Sequence, residues 1–344
     1  MRKFVAYCKI LLPFIICLLI GAVLGYLVRN SFIRPNLYKQ QALFDQVQPL
    51  RLDSNDYKFI NPLLGYKLPE STEFQEYQSL GTQVNSLVSA KIASGQAADI
   101  AVYFRDQIKG RWVGINEDHT FSPASLLKVP LMIAYYKIAE GQPGLLQEKI
   151  TWDGKTDLNQ TEIIKPEFGL EPNKAYTVAE LVDRMIAYSD NNATKLLLGH
   201  IDHNTLEEVF TDLHVKLPAN GQPGDYISDK SYALFFSVLY SSTYLTPAMS
   251  EHALQLLSKT TFKDGLVAGV PSGVTVSHKF GEYGMVGPSG GVESQELHDC
   301  GHVYYPGHAY ILCVMTKGKS VDTLKGVIKD VSSLVYSEMR KEYK

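Results

Sequence analysis

Ser125 and Lys128 are the residues whose types and spacing best suit nucleophilic chemistry. We predict that a helix starts just before them, because Ser122 is a favourable N-cap and Pro123 a favourable first helical residue. A spacing of three then places the hydroxyl and the amine on one helix face. A desolvated lysine of lowered pKa can deprotonate a serine, which makes Ser125 a candidate nucleophile. Taken alone, a Ser-x-x-Lys pair is most often ordinary helix surface.

A second polar group, Ser189-Asp190-Asn191, lies between two predicted helices. Its serine hydroxyl could pass a proton to a leaving amine, and its asparagine amide could bind a substrate carbonyl. The alternative is structural, with Ser189 or Asp190 serving as the N-cap of the following helix.

A third group, Lys279-Phe280-Gly281, follows a predicted strand, where a cation lies beside a backbone edge that could receive an extended substrate. In this order the three groups resemble the Ser-x-x-Lys, Ser-Asp-Asn and Lys-Thr-Gly motifs of penicillin-binding proteins and class A β-lactamases. The resemblance covers about residues 73 to 340. The flanking segments that strengthen it are Phe121–Met132, Met185–Leu197 and Asp264–Gly273.

The resemblance implies a role for each matching residue. Ser125 would be the acylated nucleophile, and Lys128 would be the base that activates it. Ser189 would shuttle the proton, with Lys279 beside it. The implied substrates are β-lactams or D-Ala-type amides of peptidoglycan stem peptides, and the implied activity is that of a serine hydrolase acting on amide bonds.

The resemblance also implies how a substrate would be held. Asn191 would bind the substrate amide, and backbone N–H groups would form the oxyanion hole. One of these groups belongs to Ser125. The other lies just after Gly281, and we assign it to Tyr283.

Three features depart from the family pattern. The Glu-x-x-Leu-Asn loop, whose glutamate holds the hydrolytic water in class A β-lactamases, has no counterpart between residues 213 and 228, so we expect slow deacylation. Asp225, the only carboxylate there, we interpret as a cap of the next helix. Phe280 replaces a hydroxyl residue that helps to bind the substrate carboxylate in the family. Glu282 would disfavour a carboxylate if it pointed inward, but we expect it to point to solvent.

Hydrophobic periodicity predicts the elements that position these residues. Strands occur near both ends of the region, and helices lie between them. This order predicts an α+β fold of the β-lactamase/transpeptidase-like type, with one antiparallel sheet built from both ends and a helical half inserted. The predicted strands are 100–104, 112–115, 274–280, 301–305 and 309–316, and the predicted helices are 73–94, 122–138, 178–188, 193–201, 206–213, 228–240, 247–257 and 321–340.

Cys300 and Cys313 lie on a predicted hairpin that turns at Pro306-Gly307. Pairing across this turn places the two cysteines opposite each other, where either a disulfide or two free buried thiols could occur. A zinc site is a further alternative, since His298 and His302 alternate with Cys300 on one strand face. The other histidines show no metal-ligand spacing. The sequence also lacks a phosphate loop and a dinucleotide-binding glycine motif, so we expect no metal and no cofactor.

An apolar run of nineteen residues, Ile10 to Val28, is long enough to cross a bilayer. We predict a short cytoplasmic N-terminus (1–9), a single transmembrane anchor (10–28), an extracytoplasmic linker (29–72) and a β-lactamase-like domain (73–344). A cleaved signal peptide is the alternative to the anchor. The formal charge of −3 gives no reason to expect nucleic acid as a partner. A non-catalytic cell-wall-binding or scaffold domain with a degraded site remains the competing function.

Overall fold

The computed structural model describes residues 48–51, 57–67, 77–217, 224–286 and 292–343. The predicted transmembrane segment, residues 10–28, lies outside these ranges. Among the described residues, no helix combines the length and the apolar character needed to cross a bilayer. The chain divides into two compact units, of which the second, residues 49–65 with 76–344, holds all the predicted chemistry.

A five-stranded antiparallel sheet forms the centre of this second unit. Two strands come from the beginning of the domain and three from its end, which is the topology that the order of elements predicted. The strands are β3 (Asp99–Asp106), β4 (Trp112–Ile115), β7 (Val276–Val286), β8 (Val292–Val303) and β9 (Tyr310–Gly318), while β1 (Gln48–Arg51) and β2 (Leu63–Lys67) pair separately. The strand order across the sheet is β4-β3-β9-β8-β7, so β7 is an edge strand.

Eight helices are present among the described residues, and six of them form the inserted helical half. They are α1 (Gln78–Ala93), α2 (Lys128–Gly141), α3 (Val178–Ala187), α4 (Asn191–His200), α5 (His203–Asp212), α6 (Asp229–Ser241), α7 (Pro247–Leu257) and α8 (Val321–Glu342). A two-stranded ribbon of β5 (Lys149–Trp152) and β6 (Lys174–Thr177) was not predicted. The loop inside this ribbon carries Glu162, a residue of the site described below.

Alternate residues of β3 face two separate hydrophobic cores, as the period of a strand requires. Ala101 and Tyr103 pack into the larger core, which is built with the helical half. Ile100, Val102 and Phe104 pack into the second core with residues of α1 and α8. The sheet is therefore covered on both faces, and its β7 edge forms one wall of the site described below.

Helix α2 is apolar on nearly all sides, which is typical of a helix buried in a core. Its first residue, Lys128, is only 3% exposed. Burial of the helix thus fixes the position of this lysine and removes its amine from water.

The hairpin of β8 and β9 has the predicted register, and Cys300 lies opposite Cys313. Their sulfur atoms are bonded, and their Cα atoms are 4.0 Å apart, a short separation typical of a non-hydrogen-bonded pair. The alternative zinc set is not assembled. Instead, the ring of His298 contacts the Ser122 carbonyl and the Thr316 amide, and no group of three or more metal-ligand side chains occurs in the described part of the chain.

Part of the predicted linker belongs to the domain. The Glu251 carboxylate on α7 accepts hydrogen bonds from the backbone N–H groups of Lys58, Phe59 and Ile60, at 2.9 to 3.0 Å. Phe59 and Ile60 are buried in the larger core. The folded region therefore includes residues well before position 73, where the sequence placed its start.

Candidate active site

The predicted chemistry-bearing segments converge on one cavity of about 610 Å³. It lies between the turn that precedes α2, the turn that precedes α4, the loop of the β5–β6 ribbon and the edge strand β7. Its polar lining includes Ser122, Ser125, Lys128, Glu162, Asn191, Tyr226, Glu282 and Tyr283. Ser189 and Lys279 lie just beneath this surface, at 5% and 0% exposed.

Ser125 lies in a 3₁₀ helix, Ala124–Leu127, that leads into α2. The prediction that Ser122 is the N-cap is wrong. The N-cap residue is Pro123, and no side chain caps the turn. Ala124 takes a φ of 45°, in the left-handed region that few non-glycine residues adopt. This turn is therefore held by contacts from outside it rather than by a local cap.

Two buried side chains of β8 hold the start of this turn. Glu296 Oε2 accepts a hydrogen bond from the Ser122 backbone N–H at 3.0 Å, and the His298 ring contacts the Ser122 carbonyl at 3.0 Å. The Thr316 N–H donates to His298 Nδ1, so we assign the ring proton to Nε2, which donates to Ser122. Lys317 completes the group through an ion pair of 2.8 Å with Glu296.

Close packing against β7 fixes the other side of the turn. A Cβ atom at Gly281 would lie 2.9 Å from the Pro123 carbonyl oxygen and 3.1 Å from the Leu126 nitrogen. Only glycine allows the strand to approach the turn that carries Ser125 this closely. The third motif thus contributes Gly281, a residue without a side chain, as well as the cation Lys279.

The Ser189 hydroxyl lies within hydrogen-bond distance of the amines of Lys128 and Lys279. Its Oγ lies 3.0 Å from Lys128 Nζ and 2.9 Å from Lys279 Nζ. Ser189 has a φ of 59°, and its carbonyl also accepts a hydrogen bond from Lys128 at 2.6 Å. The capping role falls to its neighbour, since the Asp190 carboxylate accepts from two N–H groups at the start of α4. The capping interpretation of the tripeptide is therefore confirmed for Asp190, while the proton-transfer role of Ser189 stays a prediction.

Burial lowers the pKa of Lys128 to about 8, against a smaller opposing effect of nearby carboxylates. Its amine also donates to Asn191 Oδ1 at 2.7 Å. Burial, reinforced by the charge of Lys128, holds the pKa of Lys279 well below its ordinary value. An amine with a pKa of about 8 is partly neutral near pH 7, and a neutral amine can accept a proton from Ser125.

The free edge of β7 presents alternate backbone groups to the site. The carbonyls of His278 and Phe280 accept hydrogen bonds from side chains at 2.8 and 2.9 Å. Backbone groups alternate between the two edges of an antiparallel strand, so the N–H of Glu282 also points to the free edge, whereas that of Tyr283 points toward β8. This alternation moves the expected second oxyanion amide from Tyr283 to Glu282. The Tyr283 side chain is 37% exposed and lines the cavity.

Glu282 is buried, at 8% exposed, so the expectation that it points to solvent is wrong. Its Oε1 accepts hydrogen bonds from the backbone N–H groups of Ile163 and Ile164, at 2.7 and 2.8 Å. Burial, together with the charge of Glu162, raises the pKa of Glu282 to about 7. Glu162 in turn accepts a hydrogen bond from Asn191 Nδ2. The cavity therefore holds two carboxyl groups that the sequence did not place there.

Comparison with known protein families decides the identity of the fold. Residues 80–339, more than half of the chain, match the model of the beta-lactamase enzyme family. The chain belongs to this family. Membership of this family supports a serine hydrolase that acts on amide bonds.

Solved structures show the same beta-lactamase fold. A structure of PBP-A is 24% identical with a TM-score of 0.64, and the match covers 79% of this chain and 100% of that one. A beta-lactamase from Sphaerobacter thermophilus is 21% identical with a TM-score of 0.61, covering 74% of this chain and 95% of that one. A mutant of PBP-A, 23% identical with a TM-score of 0.64 over 79% of this chain and 100% of that one, is an acyl-enzyme complex with penicillin G. None of the curated proteins matches the chain by sequence.

Asp225 is the only carboxylate in residues 213–228, where class A beta-lactamases carry their loop glutamate, and its role differs from the predicted one. Asp225 does not cap the following helix, because Ser228 is the N-cap of α6. The Asp225 carboxylate instead forms an ion pair of 2.8 Å with Lys317. Lys317 is also paired with Glu296, which holds the turn that carries Ser125. This carboxylate is therefore committed to an ion pair with Lys317.

Sequence reasoning missed three residues of this beta-lactamase site: Glu162, Glu296 and His298. Glu162 lies in a loop without a motif, and no local pattern distinguishes it from a surface glutamate. Glu296 and His298 are ionisable residues that alternate on one face of β8, but Glu296 lies before the predicted hairpin, which begins at His298. Such a pattern on a core-facing strand indicates buried polar contacts.

Proposed function

We propose that this protein is a membrane-anchored serine hydrolase that forms an acyl-enzyme at Ser125. Its substrates would be β-lactams or D-Ala-type amides of peptidoglycan stem peptides. One observation carries the proposal: the buried amines of Lys128 and Lys279 converge on the Ser189 hydroxyl beside the turn that presents Ser125. Two desolvated amines and a hydroxyl are a proton-transfer group, and a structural role would not need them at the end of a cavity.

The acylation step follows from these positions. Neutral Lys128 takes the proton of the Ser125 hydroxyl while the oxygen attacks the substrate carbonyl carbon. The N–H groups of Ser125 and Glu282 would stabilise the oxyanion. The carbon–nitrogen bond then breaks, and the leaving nitrogen takes a proton from Ser189, which recovers one from the Lys128 ammonium. The products are an ester at Ser125 and a free amine, and Lys128 is again neutral.

We expect the ester to persist. Hydrolysis of the ester needs a base that holds water against the acyl carbonyl, and the loop glutamate that does so in class A β-lactamases has no counterpart in residues 213–228. The carboxylate that the loop does contain, Asp225, is paired with Lys317. The expected behaviour is efficient acylation with poor turnover, which is closer to a penicillin-binding protein than to an efficient β-lactamase.

An extracytoplasmic location fits this chemistry. Peptidoglycan stem peptides lie outside the cell membrane, and the apolar run from Ile10 to Val28 is long enough for one transmembrane helix. The disulfide between Cys300 and Cys313 also fits an oxidising compartment. We propose a single-pass membrane protein with its catalytic domain outside.

The competing function is a cell-wall-binding scaffold whose active site has degraded. Phe280 and the missing loop glutamate favour it. Against it stands the burial of two lysines, since a protein that had lost its chemistry would gain stability by replacing them with apolar residues.

A fluorescent penicillin distinguishes the two functions. The full-length protein in detergent is incubated with the probe, and its intact mass is followed over hours beside Ser125→Ala and the matched control Ser89→Ala, an exposed serine of α1. The proposal predicts a long-lived adduct in the wild type and in Ser89→Ala that is absent from Ser125→Ala. Rapid appearance of hydrolysed probe would indicate a true β-lactamase. A folded protein that forms no adduct would favour the scaffold.

A further inference from the structure

The edge strand β7 carries two residues that are unusual for the family: Glu282, which lines the cavity, and Phe280, which is buried in the second core. Phe280 and Glu282 lie on one face of β7, opposite to Lys279 and Gly281, because side chains alternate along a strand. In the family that the sequence resembles, the residue at the position of Phe280 supplies a hydroxyl for the substrate carboxylate. Here the ring of Phe280 packs against Phe262, with centroids 4.5 Å apart, and offers no hydrogen bond to an anion.

Glu282 adds a carboxyl group where a carboxylate would bind. One of its oxygens is occupied by the two backbone N–H groups of the Ile163–Ile164 segment. The other, Oε2, is buried and receives no N–H or O–H hydrogen bond from the described part of the chain. The Glu162 carboxyl group lies within hydrogen-bond reach of the Glu282 carboxyl group and raises its pKa. Two neighbouring carboxyl groups that line one cavity are suited to a group that donates hydrogen bonds and carries positive charge.

The nearby cations do not cancel this preference. Lys128 directs its three hydrogen bonds to the Ser189 hydroxyl, the Ser189 carbonyl and Asn191. Lys279 donates to the Ser189 hydroxyl and to its neighbour's carbonyl at 2.9 Å. Both amines are thus turned toward the proton-transfer hydroxyl, although Lys128 lines the cavity together with Glu162 and Glu282.

We propose that Glu282, together with Glu162, sets the charge preference of the site, binding an ammonium group on the amine side of the scissile amide and disfavouring a carboxylate there. This inference rests on the proposed function, since it concerns the substrate of the same acylation step. The substrate class is an amide whose leaving portion carries a primary amine rather than a free carboxylate close to the scissile bond. Glu282 is a specificity-determining residue in this account and Ser125 remains the nucleophile.

Three penicillin G derivatives that differ in one group test the proposal. The lactam is the same in each, and the ring carboxylate is left free, methylated to a neutral ester, or converted to a 2-aminoethyl amide that carries an ammonium. The second-order rate of acylation at Ser125 is measured by intact mass with the full-length protein. The variants are Glu282→Gln, which keeps an acceptor for the Ile163 and Ile164 amides, and Glu208→Gln, an exposed residue of α5 that provides the same change in net charge.

We expect the wild-type rates to fall in the order ammonium, ester, carboxylate. The Glu282→Gln substitution should lower the ratio of the ammonium rate to the carboxylate rate by at least about tenfold, because one unit charge acts at short range in a partly buried site. The exposed control Glu208→Gln should leave all three rates as in the wild type. Glu162→Gln should lower the same ratio and serves as an independent variant if Glu282→Gln folds poorly.

Two results would overturn the inference, and they differ in what else they affect. If the ester acylates Ser125 but the charge order is unchanged by both substitutions, the specificity assignment fails and the proposed function stands. If none of the three compounds acylates the wild type or Glu282→Gln, the proposed function fails and the inference fails with it.

Discussion

Lys128 and Lys279 bind the same hydroxyl oxygen from two different elements. Their Nζ atoms lie 3.0 and 2.9 Å from Ser189 Oγ, one at the start of α2 and the other on β7. Two ammonium groups this close repel each other, and burial already disfavours the charged form of each. The pair therefore favours neutral over charged amines, and partial neutrality is the state that the proposed base, Lys128, needs.

Acylation should consequently depend on pH through Lys128. A pKa of about 8 leaves roughly one tenth of the amine neutral at pH 7. The neutral fraction grows as pH rises, so the acylation rate should rise about tenfold per pH unit below pH 7 and level off above pH 8. The measurement is the rate of adduct formation from pH 6 to 9.5 with the neutral ester. Glu282→Gln serves as the control because Glu282 titrates in the same range. A flat or falling profile would contradict the role of Lys128 as the base.

The approach of β7 to the turn that carries Ser125 can be tested at one glycine. Gly281→Ala places a methyl group 2.9 Å from the Pro123 carbonyl, so strand and turn must separate. We expect a loss of about 1–3 kcal/mol in the free energy of unfolding and about 10-fold to 100-fold slower acylation. Gly284→Ala is the matched control on the same strand, because its Cβ would meet nothing closer than 3.8 Å. Equal rates for the two variants would show that the close approach is unimportant.

Much of this architecture was predictable because its signals are local. The strand Trp112–Ile115 and the helix Pro247–Leu257 have the predicted bounds, the helix because Pro247 follows a threonine N-cap. The order of strands and helices sufficed to predict one antiparallel sheet built from both ends of the domain. The position of one turn placed Cys300 opposite Cys313 but left open whether the two are bonded.

The contents of the cavity were less predictable because they depend on distant contacts. Glu282 points inward because its carboxyl group accepts backbone hydrogen bonds from a segment 118 and 119 residues away. Ser122 resembled an N-cap locally, yet its backbone groups are held by Glu296 and His298 of β8. No periodicity reports such contacts, since they form only when the sheet and the helical half are assembled.

The disulfide should stabilise the strands that support the site. Cys300 pairs with Lys279 across β8 and β7, and it is bonded to Cys313 on β9. Replacing both cysteines with alanine should lower the free energy of unfolding by about 2–4 kcal/mol, measured by urea denaturation. Reductant should destabilise the wild type and leave the double variant unchanged. Insensitivity of the wild type to reductant would indicate that the bond does not contribute.

Glu251 should act as the anchor of the segment before the domain. It accepts three backbone hydrogen bonds from residues 58 to 60, so Glu251→Ala leaves those N–H groups without their acceptor. We expect a loss of about 1–3 kcal/mol in unfolding free energy and faster tryptic cleavage after Lys58. The exposed Glu208→Ala is the matched control. Unchanged cleavage in Glu251→Ala would mean that the buried Phe59 and Ile60 suffice to hold the segment.

The central claim is that Ser125 is the acylated nucleophile, and peptide mapping tests it most directly. After brief incubation with penicillin G methyl ester, the full-length protein is digested with trypsin, and the peptide Trp112–Lys128 is fragmented by tandem mass spectrometry. This peptide carries two serines, Ser122 and Ser125, which the fragment ions separate. We expect the added mass on Ser125 alone, and we expect it to persist for hours. Added mass on Ser122, on Ser189 or on a lysine, or no added mass in a folded protein, would contradict it.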